Sequence, residues 1–142
     1  AFGLVAGIQA VCHKANRVTY QLDDQSPVTG SFIGLVIGNG NHCAGGMKLT
    51  PFARPDDGFL DMLRMHEMSI PERLLNFPKI YTGRHIYSKH FAITQNKKIR
   101  LSSEEDLMIE ADGEMLGRLP CDIEILPAIL KIRYKPRNYG SN

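Results

Sequence analysis

Apolar and polar positions alternate in short runs over most of the chain, and two stretches depart from that pattern with helical spacing. Leu4, Ile8, Val11 and Ala15 recur at three- and four-residue intervals, which predicts a short helix over residues 2–15. The second begins at a capping box formed by Ser69 and Glu72, with Pro71 in its first turn. Leu74, Leu75 and Phe77 supply its apolar face, and Pro78 is expected to stop it. Residues 17–22 alternate as a strand, residues 23–27 are turn material, and 31–37 form a β-rich apolar run, so a hairpin with a buried second strand is expected. Residues 59–65 read as a further strand. After Gly83, short strands are expected over 90–94, 98–101, 107–111, 122–126 and 130–134, with breaks at Gln95-Asn96 and 102–106. The fold class predicted is mainly β, a β-sandwich or open barrel with one or two short helices. The polar tail, residues 135–142, is expected to be flexible.

Composition narrows the function classes. A chain of 142 residues is one domain's worth, and 43% apolar with 23% charged residues is ordinary for a globular protein. A net charge of +2, with no basic block among aromatics, argues against nucleic acid as a partner. Cys12, Cys43 and Cys121 are an odd number without metal spacing, which suits free thiols in a reducing compartment. The longest apolar stretch, residues 1–12, lacks a basic flank and is too short for a bilayer span. Neither a secretion signal nor a membrane span is therefore expected.

Three loops carry candidate chemistry. Gly38-Asn39-Gly40 opens a glycine-rich loop reaching Gly45-Gly46, and bunched glycines let backbone N–H groups turn toward an anion. It lacks the Gly-Lys-Ser/Thr of a P-loop, and Cys43 stands where a dinucleotide loop needs its third glycine, so on its own a structural turn between strands fits better. Asp56-Asp57-Gly58-Phe59-Leu60-Asp61 offers clustered carboxylates at a tight turn, which suit a hard cation. The spacing is not that of an EF-hand, and an Asp-Gly turn opening a strand is the plainer alternative. In Glu110-Ala111-Asp112-Gly113-Glu114, alternation would put three carboxylates on one face, able to hold Mg²⁺ and accept a hydroxyl proton. An Asp-Gly hairpin is the commoner use of such a sequence. The five histidines are scattered without zinc spacing.

The order of these motifs is more specific than any one of them. Ile37-Gly38-Asn39-Gly40, Gly45-Gly46-Met47, Pro51-Phe52-Ala53, the Asp56–Asp61 stretch and Asp112-Gly113-Glu114 follow in a sequence that resembles the C-terminal domain of the diacylglycerol kinase, sphingosine kinase and bacterial lipid kinase superfamily. The resemblance covers nearly the whole chain and implies a lipid-kinase C-terminal β-sandwich over residues 1–134. In that family an N-terminal domain binds ATP through Gly-Gly-Asp-Gly-Thr. This sequence contains no such loop, so the expectation is the C-terminal half, cut away from its nucleotide-binding half and inactive alone.

The resemblance implies that Asp112 is the base taking the lipid hydroxyl's proton and that Glu114 helps organise catalytic Mg²⁺. It implies that Asp57, with the backbone carbonyls of Arg54 and Phe59, holds a second, structural Mg²⁺ or Ca²⁺, and that Gly38, Asn39 and Gly40 line the interdomain cleft. Partners implied are a lipid alcohol, ATP through the other domain, and a transient membrane surface. A homodimer is compatible with it. The location implied is cytoplasmic and peripheral to the membrane. The alternatives are a non-catalytic lipid-binding or regulatory module, or a relative of NAD kinase.

Overall fold

The computed structural model describes residues 14–131. The helix expected over 2–15 and the tail 135–142 lie, the former almost wholly, outside that range. Among the described residues, eight strands and one α-helix follow one another as β1 (Asn16–Leu22), β2 (Val28–Gly38), β3 (Leu60–His66), α1 (Ile70–Thr82), β4 (Phe91–Asn96), β5 (Lys98–Ser102), β6 (Met108–Ala111), β7 (Glu114–Arg118) and β8 (Cys121–Glu124). Six form one open antiparallel sheet in the order β4-β3-β2-β1-β5-β8, while β6 and β7, among the described residues, pair only with each other. The mainly β class expected from the pattern is what the chain adopts.

β2 divides its length between two neighbours. Its first half, Val28 to Phe32, pairs with β1, and its second half, to Gly38, pairs with β3. A register shift between Phe32 and Gly34 separates the two halves, and such bulges turn a strand from one layer toward another. A second corner lies between β4 and β5, which Lys97 alone connects although three strands separate them in the sheet. The bend brings Val18 and Leu22 of β1, Phe32 of β2, Leu60 and Met62 of β3, and Ile99 of β5 into one core.

β3 is buried on both sides, and Leu60 through Arg64 are all enclosed. Met62 faces the first core, whereas Leu63 joins Met68 and Phe91 in a second cluster. Full burial of side chains such as Met62, Leu63 and Ile99 stabilises by about 1.5–3 kcal/mol each. Arg64, enclosed there, donates to Thr94 Oγ1 at 3.2 Å, with its guanidinium over the Tyr20 ring.

The helix starts where expected. Ser69 N–H donates to Glu72 Oε2 at 2.8 Å, closing the capping box. It does not stop at Pro78 but runs on to Thr82, and Gly83 caps it in the left-handed conformation (φ 74°). A proline deprives only the carbonyl four residues earlier of its partner, and that residue, Leu74, lies on the exposed side where water replaces the bond.

Two further expectations change. Residues 114–118 form β7, which the pattern did not suggest, because none of its side chains is buried. No strand begins at Leu130; residues 130 and 131 are irregular and the rest of that expected strand lies outside the described range.

Candidate functional site

Gly38 closes β2 directly opposite Asp61 of β3, so the glycine loop and the aspartate loop start side by side. A methyl group at Gly38 would collide with the Thr50 hydroxyl, so a side chain is excluded there. Thr50, itself buried, donates from Oγ1 to the Gly40 carbonyl at 2.9 Å and fixes the loop's return. Asn39 is exposed between these two anchored glycines.

Asp57 and Phe59 form a tight turn. The Phe59 N–H donates to Asp57 Oδ1 at 2.9 Å across Gly58, whose φ is 77°. Arg54 Nε lies 3.4 Å from Asp56 Oδ1, an exposed ion pair of little energetic weight. Lys97 Nζ sits over the Phe59 ring, and Pro127 abuts Gly58, so the turn is held against the β4–β5 corner and the chain after β8.

Asp61 is the residue that sequence reasoning left without a role. It is 1% exposed, and its Oδ2 has no hydrogen-bond partner. Burial, with the nearby Asp57 carboxylate adding to it, pushes its pKa up against the opposing hydrogen bond from Gln95. Its place at the end of an acidic run was visible; its burial was not, because an aspartate at a strand start is usually solvated.

Among the described residues no group of three or more His, Cys, Asp or Glu side chains is placed to hold a metal. The set implied by the resemblance does not require one, since it takes one carboxylate and two backbone carbonyls. All three donors are oxygens, the ligand type of Mg²⁺ and Ca²⁺. The unpartnered Asp61 oxygen beside Asp57 is a buried acceptor of the kind that a cation or its bound water satisfies. The residues present therefore fit such an ion.

Asp112 and Glu114 lie elsewhere. Ala111 pairs with Glu114, leaving Asp112-Gly113 as a two-residue hairpin loop with φ of 51° and 85°. Positive φ at both centres is the requirement of a type I′ turn, which Asp-Gly meets well. The alternation that would have put Glu110, Asp112 and Glu114 on one face is thus broken at the turn, and Glu110 is opposite Met115. Neither the Asp112 nor the Glu114 side chain makes a hydrogen bond or ion pair among the described residues.

The β6–β7 hairpin is anchored at its root by the Leu119 N–H bond to the Leu107 carbonyl, and both leucines pack on the first core. Arg118 and Asp106 pair beside it. The root joins the end of β5 where Ser103 and Glu105 bond the Arg17 backbone, whereas the Asp57 turn lies at the Lys97 end. The structure therefore groups Gly38, Gly40, Asp57 and Asp61, and roots the carboxylates Asp112 and Glu114 at the opposite end of β5.

Residues 2–134 match the family described as the YegS C-terminal NAD kinase beta sandwich-like domain. This chain belongs to that family. A diacylglycerol kinase of Mycobacterium tuberculosis (strain CDC 1551 / Oshkosh) is 30% identical over 101 residues, covering 71% of this chain and 32% of its own length. A diacylglycerol kinase of Staphylococcus carnosus (strain TM300) is 28% identical over 122 residues, covering 86% and 39%. A crystal structure of a diacylglycerol kinase from Bacillus anthracis str. Sterne shares the fold with a TM-score of 0.64 at 20% identity, covering 85% of this chain and 43% of that one. The chain thus spans about a third of the length of the curated relatives, in the part the family calls C-terminal.

Proposed function

We propose that this chain is the lipid-binding, catalytic-base half of an ATP-dependent lipid kinase that phosphorylates the hydroxyl of a diacylglycerol-like or sphingoid lipid. The observation that carries the reading is the family match over residues 2–134 among relatives named diacylglycerol kinase. ATP and its Mg²⁺ would be bound mainly by a separate nucleotide-binding domain, and the present chain alone would transfer no phosphate. Such a kinase works in the cytoplasm at the membrane surface, in lipid metabolism and phospholipid biosynthesis.

Phosphoryl transfer depends on positioning and charge neutralisation more than on covalent chemistry from the protein. Asp112 stands at a hairpin tip, outside the core and without a structural partner, where a carboxylate can accept the proton of an incoming hydroxyl. Glu114 begins the returning strand two residues on, and its carboxylate would help hold the Mg²⁺ that accompanies ATP. Gly38, Asn39 and Gly40 would face the cleft between domains, kept in place by Thr50. The structural cation would be held by Asp57 and the carbonyls of Arg54 and Phe59, and would clamp the loop following the glycine-rich segment.

The test is the coding sequence upstream of Ala1 together with the protein it encodes. Gly-Gly-Asp-Gly-Thr should occur there, and that protein should transfer labelled phosphate from ATP to one of diacylglycerol, sphingoid base, phosphatidylglycerol or ceramide. Asp112→Ala should lower turnover by about 10²–10⁴-fold with an unchanged melting temperature. Near-normal turnover in a folded Asp112→Ala protein would remove the residue from catalysis.

A further inference from the structure

Helix α1 is turned inside out relative to an ordinary surface helix. Its enclosed residues are Asn76 and Ile80, and Asn76 is satisfied within the helix, donating to the Glu72 carbonyl and accepting from Lys79. Leu74 and Leu75, expected to pack inward, are 58% and 70% exposed, and Ile70 and Tyr81 join them. At 100° per residue Ile70, Leu74, Pro78 and Tyr81 fall within one sector and Pro71, Leu75 and Thr82 in the next. An amphipathic helix normally sends such a face to the core. Here about 20 Å of helix shows it to the outside, and contiguous apolar surface of this kind marks an interaction site.

The charge at the C-terminal end of the face is of one sign. Lys79 borders it, and Arg84 and Lys89 follow just beyond the helix, all three exposed. Arg84 and Lys89 have no ion-pair partner among the described residues. No acid lies on the outward arc, because Glu72, the helix's one acid, is held by Ser69 and His90. Glu67 precedes the helix at the end away from these cations. Tyr81 and Tyr87, the latter 80% exposed, stand at the cationic end. Pro51 packs against Gly83, which puts the exposed Phe52 beside the same end.

We infer that the outward face of α1, with Lys79, Arg84 and Lys89, docks this domain onto a bilayer carrying anionic headgroups. Leucines enter the acyl boundary, tyrosines lie at headgroup depth, and the cations meet lipid phosphate. A second copy seated on this face would set like charges against each other, which disfavours self-association. The inference rests on the lipid-kinase reading for its purpose, but it can fail separately.

Flotation of the chain with vesicles separates the outcomes. Wild type should float with phosphatidylglycerol/phosphatidylcholine vesicles, less with phosphatidylcholine alone, and less in high salt. Leu74→Gln with Leu75→Gln should weaken binding by at least about tenfold, since two leucines lose their burial. Lys79→Gln, Arg84→Gln and Lys89→Gln together should abolish the preference for anionic lipid, which keeps a test if the leucine variant fails to fold. Failure of wild type to float, or unchanged flotation of both folded variants, overturns the inference. So does a dimer in sedimentation that the leucine variant dissolves, or a longer protein that no longer floats because another domain covers the helix. If that longer protein still phosphorylates detergent-dispersed lipid without floating, only the docking face is lost. If it floats but phosphorylates nothing, only the kinase reading is lost.

Discussion

The Leu49 carbonyl 3.1 Å from His85 Nε2 can only accept, so Nε2 carries the proton and Nδ1 is bare. His85 is fully enclosed, lies edge-on to Phe91, and its Nδ1 has no partner. Burial lowers its pKa below the ordinary 6.5, against the pull of the Leu49 and Lys79 carbonyls. A folded pKa below the unfolded one gives stability that is present above pH 6.5 and lost as pH falls below it. Glu72 works lower on the scale, its pKa brought from 4.5 to about 2 by hydrogen bonds from Ser69 and His90. Its contribution is present above 4.5 and lost between there and 2. Melting temperature should therefore fall in two acid steps. His85→Gln should remove the upper step and cost about 2 kcal/mol at neutral pH, and Glu72→Gln should reduce the lower one, to which Asp23 and Asp122 also contribute. A wild-type melting temperature that stays level from pH 7.5 to 5 would show that His85 does not couple folding to protons.

Between elements, one side chain holds the β4–β5 corner. Asp23 adopts φ 49° in the turn after β1 and accepts from the N–H groups of Lys97 and Lys98 at 2.8 and 2.9 Å, with Asn96 Nδ2 at 3.3 Å. The Lys98 amide is the main cause of its lowered pKa. Because Asp23 is exposed, Asp23→Ala should cost only about 1 kcal/mol, but its amides at 97 and 98 should lose protection from hydrogen exchange. Unchanged exchange there would mean the corner holds itself. Nothing in the sequence marks this contact, since Asp23 reads as ordinary turn material and its partners are more than seventy positions away. Local features were legible for the opposite reason. The Ser69–Glu72 capping box and the Asp112-Gly113 hairpin turn each complete their bonding within four residues. The apolar stripe of α1 was legible as well, but the side it faces depends on what the sheet already buries. Leu63, Met68 and Phe91 close the second cluster without Leu74 or Leu75.

For the molecule as a whole, the question is whether the two ends of β5 work together. The Asp57 turn touches the β4–β5 corner through Phe59 and the chain after β8 through Gly58, so an ion bound there would tie three separate segments. A ligand that binds only the folded state raises stability by mass action, to about 2.7 kcal/mol at a hundred times its dissociation constant. Melts of this chain with Mg²⁺ or Ca²⁺ should thus lie above melts with a chelator. Asp57→Asn removes the carboxylate proposed to hold the ion and should abolish the difference, while Asp112→Ala, rooted at the other end of β5, should preserve it. Equal shifts in wild type and Asp57→Asn would remove Asp57 from the site. A shift lost in Asp112→Ala would place the cation at the hairpin instead. An ion at Asp57 would act on the β3 end of the fold and leave the β6–β7 hairpin without added support, a two-stranded ribbon of a kind that is marginal in water by itself.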